Sequence, residues 1–310
     1  MWLGALVLIA GIALVIWGAE RFTDGSLGVA RVLGIGLFSV GAVLSGFEPE
    51  NLVTGVAANL GGLPQVALGT VIGAAVFLLT AGLGLALLLV PMAVRLPRAG
   101  PVAMLVALAA FALTLVPDGQ VGRAEGVALV LVALALLAWL HRRSPAFAPA
   151  MAEAPAPAAT GGRVVALLGL GAGAMLVGAE LVVRGTHMLI AAAGLSETFV
   201  GMTIVAMGES LEETARMVVP ARRGHPELAW GNVVGTVVIL LGLNLGVIAL
   251  VRPLAADPLV LRLHAPFLAG AAMLVALALV RARRLGRGMG MLLVALYGVY
   301  LALNLRHMWR

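Results

Sequence analysis

The chain has no cysteine and no lysine, and only 11% of its 310 residues are charged. Without cysteine there is no disulfide frame, no thiol chemistry and no thiolate-bound metal. A soluble domain carries about 25% charged residues. Here the scarcity of charge accompanies 62% hydrophobic residues and a mean hydropathy of +1.10, which marks an integral membrane protein. Its apolar runs reach the roughly 20 residues that an α-helix needs to cross a bilayer, so the expected class is all-α. Basic charge comes from arginine alone, and the net +6 reads as a topology signal rather than a nucleic-acid footprint. The N-terminus lacks a basic n-region and a small-residue cleavage site, so residues 2–18 are expected to remain as a first helix. Glycine, by contrast, is abundant: 40 residues, a composition that lets membrane helices approach closely.

Apolar runs set against polar breaks predict about ten spans, at 2–19, 26–60, 64–91, 99–116, 121–140, 163–183, 186–220, 226–251, 258–281 and 287–306. The second and seventh are too long for one straight crossing and are expected to be interrupted. Between the fifth and sixth lies HRRSPAFAPAMAEAPAPAATGGR, an Ala/Pro-rich stretch without periodicity. It reads as a flexible, partly extended linker at 142–162, dividing a first unit, 1–141, from a second, 163–310. The halves resemble each other. GAERFTDG at 18–25 returns as GAELVVRG at 178–185, and LPQVALGTVIG at 63–73 returns as HPELAWGNVVG at 225–235. Five spans per half force the second half into the membrane upside down, the inverted repeat of secondary transporters, whose sites lie near the midplane on discontinuous helices. With the N-terminus outside, 13 arginines fall on inner loops, among them Arg142, Arg143, Arg283 and Arg284, and 6 fall outside. That bias predicts external termini and a cytoplasmic linker in the inner (cell) membrane.

The stretch AMGESLEETAR places three glutamates and an arginine inside an apolar segment. On a helix, Glu209, Glu212, Glu213 and Arg216 share one face. Lipid exposure would cost that face several kcal/mol per charge, on the order of 3 by the lower estimates. It must therefore line the bundle interior or a water-filled cavity. In the first half, SGFEPEN supplies Glu48 and Glu50 around Pro49, which removes a backbone donor and breaks the helix. Two carboxylate clusters, one per half, are expected to meet near the symmetry axis. Oxygen-rich sites without His or Cys suit hard cations such as Ca²⁺, Mg²⁺ or Na⁺. Arg216 is expected to hold one glutamate ionised or to mimic a bound cation in the empty state. His141, His187, His225, His264 and His307 fall at span ends and read as interfacial. So do Glu20 and Glu180, and Asp24 and Arg184 read as structural charges near the membrane surface.

The run GMTIVAMGESLEETARMVVPARRGHPELAWGNVVGTVVILLGLNLG resembles the second alpha-repeat of the calcium/cation antiporter superfamily, the sodium/calcium exchanger group. That motif is approximately G-T-S-L-P-E followed by G-N-x-x-G-S. Gly208, Ser210, Leu211 and Glu213 match its first part, and Gly231, Asn232 and Gly235 its second, with Thr236 in place of serine. Pro49, Glu50, Gly69 and Gly73 carry the resemblance in the first half. It implies an antiporter whose paired glutamates bind Ca²⁺ or Na⁺ in turn, neighbouring hydroxyls and carbonyls completing the sites. By position it implies Glu50 and Glu213, with Ser210 and Thr236 as hydroxyl ligands; Asn232 and Thr54 are further candidates. The registers differ by one residue. An ungapped offset pairs Asn51, not Glu50, with Glu213, so Asn51 is also a candidate ligand.

The chain departs from the motif where Gly46 and Phe47 replace Thr-Ser, and where Thr70, Ala74, Leu78 and Leu240 replace polar positions. Conversely, Glu209 replaces the motif threonine, Glu212 the proline and Glu48 a leucine. These changes favour a proton-coupled or otherwise altered ion cycle, since clustered carboxylates cannot all stay ionised in an empty site. The expected activity is exchange of a divalent cation, Ca²⁺ first, for Na⁺ or H⁺. The alternative is a homologue that moves Mg²⁺ or exchanges Na⁺ for H⁺, or a non-transporting sensor or scaffold. An intramembrane hydrolase or metalloenzyme would need a nucleophile–base pair or an HExxH set, which the embedded polar residues do not supply. No cofactor is expected. The expected partners are the bilayer and inorganic cations, not nucleic acid, with the chain monomeric or weakly homo-oligomeric.

Overall fold

The computed structural model describes residues 2–32, 48–94, 98–115, 118–143, 161–222, 224 and 226–309. Residues 33–47 of the expected second span, 26–60, and residues 144–160 of the linker therefore lie outside the described residues. The chain is helical and folds as a membrane protein. Its helical segments are α1 (Trp2–Val32), α2 (Pro49–Leu60), α3 (Pro64–Leu89), α4 (Ala99–Leu115), α5 (Arg123–Arg143), α6 (Gly162–Ala193), α7 (197–222), α8 (226–251), α9 (Val260–Arg281) and α10 (Arg287–Leu305). Seven of them are long and apolar enough to cross a membrane.

Two helices form the centre. In the most apolar window of α3 89% of residues are buried, and in that of α8 83%, against 22–44% in the other spanning helices. Around them, α5 packs on α8 and α10 on α3, while α4 and α9 lie against each other and against the central pair. Short strand pairs tie the loops. β1 (Met92–Ala93) pairs antiparallel with β4 (Arg284–Leu285), and β2 (Gln120–Val121) with β3 (Leu254–Ala255), at opposite ends of α3. Gln65, at the start of α3, bonds Ala255 and Asp257. Near the C-terminus, Ser196 bonds the carbonyls of His307 and Met308, so the chain finishes at the α6–α7 turn.

The crossing of α3 with α7 requires glycine. A methyl built on Gly69 would lie 2.3 Å from the Gly201 carbonyl carbon, and one on Gly201 would lie 2.6 Å from the Val66 Cα. Backbone cannot yield as a side chain can, so only hydrogen fits between the two helices. Both helices are π-helical there, at Gly69–Gly73 and Val200–Val205. The expected seventh span, 186–220, is interrupted at Gly194–Ser196; beyond that turn the helix runs on through the π segment to Arg222. In the second span the chain also breaks: Glu48 sits at φ 43°, ψ 58°, the left-handed region, immediately before α2. Pro49 then opens the helix at its first position, where its missing N–H costs nothing.

Two boundaries differ from the sequence expectation. The first span runs unbroken to Val32, not to residue 19, and the sixth runs through 184–186 to Ala193. The chain turns at Gly194, whose φ of 64° suits glycine, and Ser196 caps α7. Glu20 and Glu180 therefore lie within helices and not at their ends. The charges that looked like breaks are tolerated by pairing: Arg184 meets Glu180 at 2.7 Å on an exposed face, and Arg21 meets Asp24 at 3.6 Å on a half-buried one. At 31 and 32 residues, α1 and α6 are about 46–48 Å long and outreach a hydrocarbon core of about 30 Å, which demands tilt or protrusion.

These two long helices pack antiparallel along glycines seven residues apart: Gly11, Gly18 and Gly25 on α1, Gly171, Gly178 and Gly185 on α6. A methyl on Gly11 would stand 2.7 Å from the Val182 nitrogen, and one on Gly178 2.7 Å from the Val15 nitrogen. The result is backbone-to-backbone contact of the kind small residues permit in membranes.

His264 also departs from expectation. It is fully buried, with Nδ1 2.9 Å from the Tyr300 hydroxyl, which itself donates to the Met202 carbonyl. It lies in a π-helical first turn, Val260–His264, so it is at the span end as expected but enclosed by protein rather than solvated. His141, His187 and His307 are exposed as expected, and His225 lies outside the described residues.

Candidate cation site

The break before α2 opens a helix N-terminus inside the bundle. There Glu48, Glu50, Asn51 and Thr54 are all buried. Facing them is one side of α7, carrying Glu209, Ser210 and Glu213, also buried, and Arg216, whose side chain is 34% exposed. The third wall is α8, with Asn232, Thr236 and Asn244. The spacing of three and four that put Glu209, Glu213 and Arg216 on one face of a helix is what delivers them together. Glu212 belongs to the same helix, and its side chain lies outside the described residues.

Glu48 is the hub. Its Oε1 accepts from Arg216 Nη1 at 3.0 Å and from the Thr236 hydroxyl at 3.3 Å, and its Oε2 accepts from Asn51 Nδ2 at 3.3 Å. Its carbonyl accepts from Asn244 Nδ2 at 3.3 Å, which fixes the left-handed backbone from the side of α8. Glu213 is held equally firmly, by Arg216 Nη1 at 2.5 Å and by Asn232 Nδ2 at 2.6 Å. Arg216 Nη2 stands 3.6 Å from Glu50 Oε1.

The remaining oxygens are less provided for. Among the described residues, neither carboxylate oxygen of Glu50 or Glu209 accepts a hydrogen bond, and the Thr54 hydroxyl and Asn51 Oδ1 have no partner. Thr54 and Glu50 are polar neighbours of Glu209. Buried carboxylates left in this way are costly unless a cation or a proton joins them. Yet among the described residues no three acidic or imidazole groups stand close enough to hold a metal ion. The carboxylates of Glu48, Glu50 and Glu213 are arrayed around a guanidinium instead.

Every candidate from the sequence whose side chain is described lies at or beside this cluster. Glu50 and Asn51, which compete for the position opposite Glu213, both point into it, because the first turn of a helix fans successive residues around the same end. Ser210 is buried on α7 between Glu209 and Glu213. Thr70 stays out, donating to the Ala67 carbonyl of its own helix. Asn244 escaped the sequence reading for a physical reason. At about 100° per residue, the step from Asn232 to Asn244 should leave it roughly 120° off the shared face. Ile239–Asn244 is π-helical, and one extra residue in the turn brings it back to within roughly 20°. The only signal was a lone amide in an apolar run.

A sequence profile described as "Sodium/calcium exchanger protein" matches residues 3–141 and 163–306. The chain belongs to the sodium/calcium exchanger family. Among its relatives is the inner membrane protein YrbG of Escherichia coli (strain K12), 29% identical, the alignment covering 98% of this chain and 97% of that one. The sodium/calcium exchanger MaX1 of Methanosarcina acetivorans is 28% identical over 43% of this chain and 38% of its own. A solved structure of the sodium-calcium exchanger NCX_Mj, soaked with Na⁺ and Ca²⁺, superposes with a TM-score of 0.62 at 26% identity, covering 97% of this chain and 98% of that chain. Membership makes this exchanger-family chain a cation antiporter of the membrane.

Proposed function

We propose that the protein is a secondary antiporter exchanging a divalent cation, Ca²⁺ first, for Na⁺ or H⁺ by alternating access, with Glu50 and Glu213 as the paired glutamates. The observation that carries this reading is the convergence of four buried carboxylates from α2 and α7 with amide and hydroxyl groups from α8, deep within a membrane bundle. Hard, oxygen-binding cations are what such a set can neutralise. Ser210, Thr54, Asn51, Thr236 and Asn232 are the neutral groups of the site, and Glu48, Glu209 and Glu212 the additional acidic ones. The names of the relatives, a sodium/calcium exchanger and a sodium-calcium exchanger structure, point the same way.

The architecture that serves this cycle is two inverted five-span units, 1–141 and 163–310, joined by a cytoplasmic linker at 142–162, with both termini external in the cell membrane. The matched packing of α5 on α8 and α10 on α3, and the two strand pairs, support it. The antiparallel glycine seam between α1 and α6 suits them to move as a pair across the α2–α3–α7–α8 core.

The test is ion flux in proteoliposomes under imposed Na⁺ and proton gradients, with Ca²⁺, Mg²⁺ and Mn²⁺ offered in turn. Ca²⁺ uptake driven by one of the two gradients is the expected result. Absence of gradient-driven flux for every cation would overturn it in favour of a sensor or scaffold.

A further inference from the structure

Arg216 occupies the middle of the acidic cluster. Nη1 contacts Glu48 Oε1 at 3.0 Å and Glu213 Oε1 at 2.5 Å, and Nη2 stands 3.6 Å from Glu50 Oε1. Those carboxylates belong to both halves of the chain, and their side chains are 0–2% exposed. A guanidinium does not lose its proton in a protein, and its planar fork can address two carboxylates at once. An arginine serving only as a solvated charge at a helix end would turn its head outward. This one turns it inward, with a third of the side chain exposed as a route back to water.

The cluster is also lopsided. At the Arg216 pole, Glu48 and Glu213 are saturated, with Thr236, Asn51 and Asn232 adding donors. At the other pole Glu209, Glu50 and Thr54 present buried oxygens that accept no hydrogen bond among the described residues.

We infer that Arg216 is a built-in cation of the exchange site. It fills the Glu48–Glu213 pole in the resting state, while the mobile cation, a dehydrated Ca²⁺ or Na⁺, enters at the Glu50–Thr54–Glu209 pole, competes with Arg216 for Glu50 and takes over Glu213 as the guanidinium withdraws. Two consequences follow for the antiport cycle on which this inference rests. One positive charge never leaves the protein, so fewer mobile charges neutralise the same carboxylates in each turnover. Ion affinity is also set by how often the guanidinium is seated: a tether in place about nine-tenths of the time weakens apparent binding about tenfold.

The experiment measures Ca²⁺ and Na⁺ binding by calorimetry to purified full-length protein, as wild type, Arg216→Lys and Arg216→Gln. Removal of the tether is expected to tighten Ca²⁺ binding about tenfold or to add a bound Na⁺, with lysine intermediate because it is a point charge without the fork. A folded Arg216→Gln that binds both ions as wild type does, or more weakly, overturns the inference and leaves the antiporter reading intact. Binding by Arg216→Gln alone supports the tether and sinks antiport by the wild type. Binding by neither sinks both. Because Arg216→Gln can fail to fold, the wild type provides a second readout: modification of Arg216 by phenylglyoxal, mapped by peptide mass spectrometry. Saturating Ca²⁺ should accelerate modification by freeing the guanidinium from Glu50. An unchanged or slower rate refutes the tether.

Discussion

Replacing Glu50 and Glu213 by glutamine should have unequal consequences for the fold and similar ones for ion binding. Glu213 accepts from Arg216 at 2.5 Å and from Asn232 at 2.6 Å, and its side chain is 2% exposed. A glutamine there loses the charge pair, and its amide can accept from only one of the two donors at a time. Breaking a buried ion pair by removing one partner costs roughly 3–5 kcal/mol. The low end applies here, because Arg216 keeps Glu48 and is 34% exposed. Glu50 is the opposite case: fully buried, with neither oxygen accepting a hydrogen bond among the described residues. Glu50→Gln removes a poorly compensated charge, so the ion-free fold should be as stable as wild type or more so. A dehydrated divalent ion, however, loses a full ligand charge in either variant. We expect Ca²⁺ affinity to fall at least about a hundredfold in both, which is about 2.7 kcal/mol. Thermal unfolding in detergent without Ca²⁺, set beside equilibrium binding of radiolabelled Ca²⁺, separates the two effects. If Glu50→Gln destabilises as much as Glu213→Gln, or if it binds Ca²⁺ like wild type, the assignment of roles within the pair is wrong.

Single-cysteine reporters after Ser144 and after Arg310 should label from opposite sides of the membrane, the first from the cytoplasm; labelling from one side breaks the five-plus-five arrangement. Gly178→Val should separate α1 from α6, since its Cβ would sit 2.7 Å from the Val15 nitrogen; overpacking of this kind costs about 1–3 kcal/mol, and flux should drop more than equilibrium ion binding. Ca²⁺ affinity should weaken as pH is lowered, because protons and cations compete for the same carboxylates, and Glu209→Thr should make that dependence shallower. Superimposable pH curves for the two proteins would place Glu209 outside the ion path.

Much of the fold was written in the sequence, for reasons that can be located. Apolar runs that must bury their backbone groups in lipid have little freedom, so each expected span has a helical segment within it. The two boundary errors share one cause. Charges in RFTDG and VVRG look like helix ends only if helices stop where charge begins. Glu180–Arg184 and Arg21–Asp24 neutralise one another along a continuous helix, and the long tilted pair α1 and α6 simply carries them. The glycine seam was present as well, since the matched segments begin and end on Gly18 and Gly178, Gly25 and Gly185. What sequence similarity could not reveal was that these glycines meet each other across the pair.

The site was legible as a list of acids and illegible as an arrangement. Charge in an apolar segment announces itself, because lipid does not tolerate it, and that argument, with the internal repeat, brought Glu48, Glu50, Glu209 and Glu213 together. Register is subtler. A reading at 3.6 residues per turn cannot see a π segment, and π segments lie beside the site in α3, α7 and α8. Each displaces the residues beyond it by about one position around the helix. That displacement returns Asn244 to the Glu48 carbonyl, where it props a left-handed residue that any non-glycine side chain would ordinarily avoid. The same logic explains why His264, at the end of its own π turn, is buried against Tyr300 rather than solvated. Irregular backbone in a membrane survives only where protein surrounds it, and the π segments of α3, α7 and α8 lie in the helices packed around the acidic cluster.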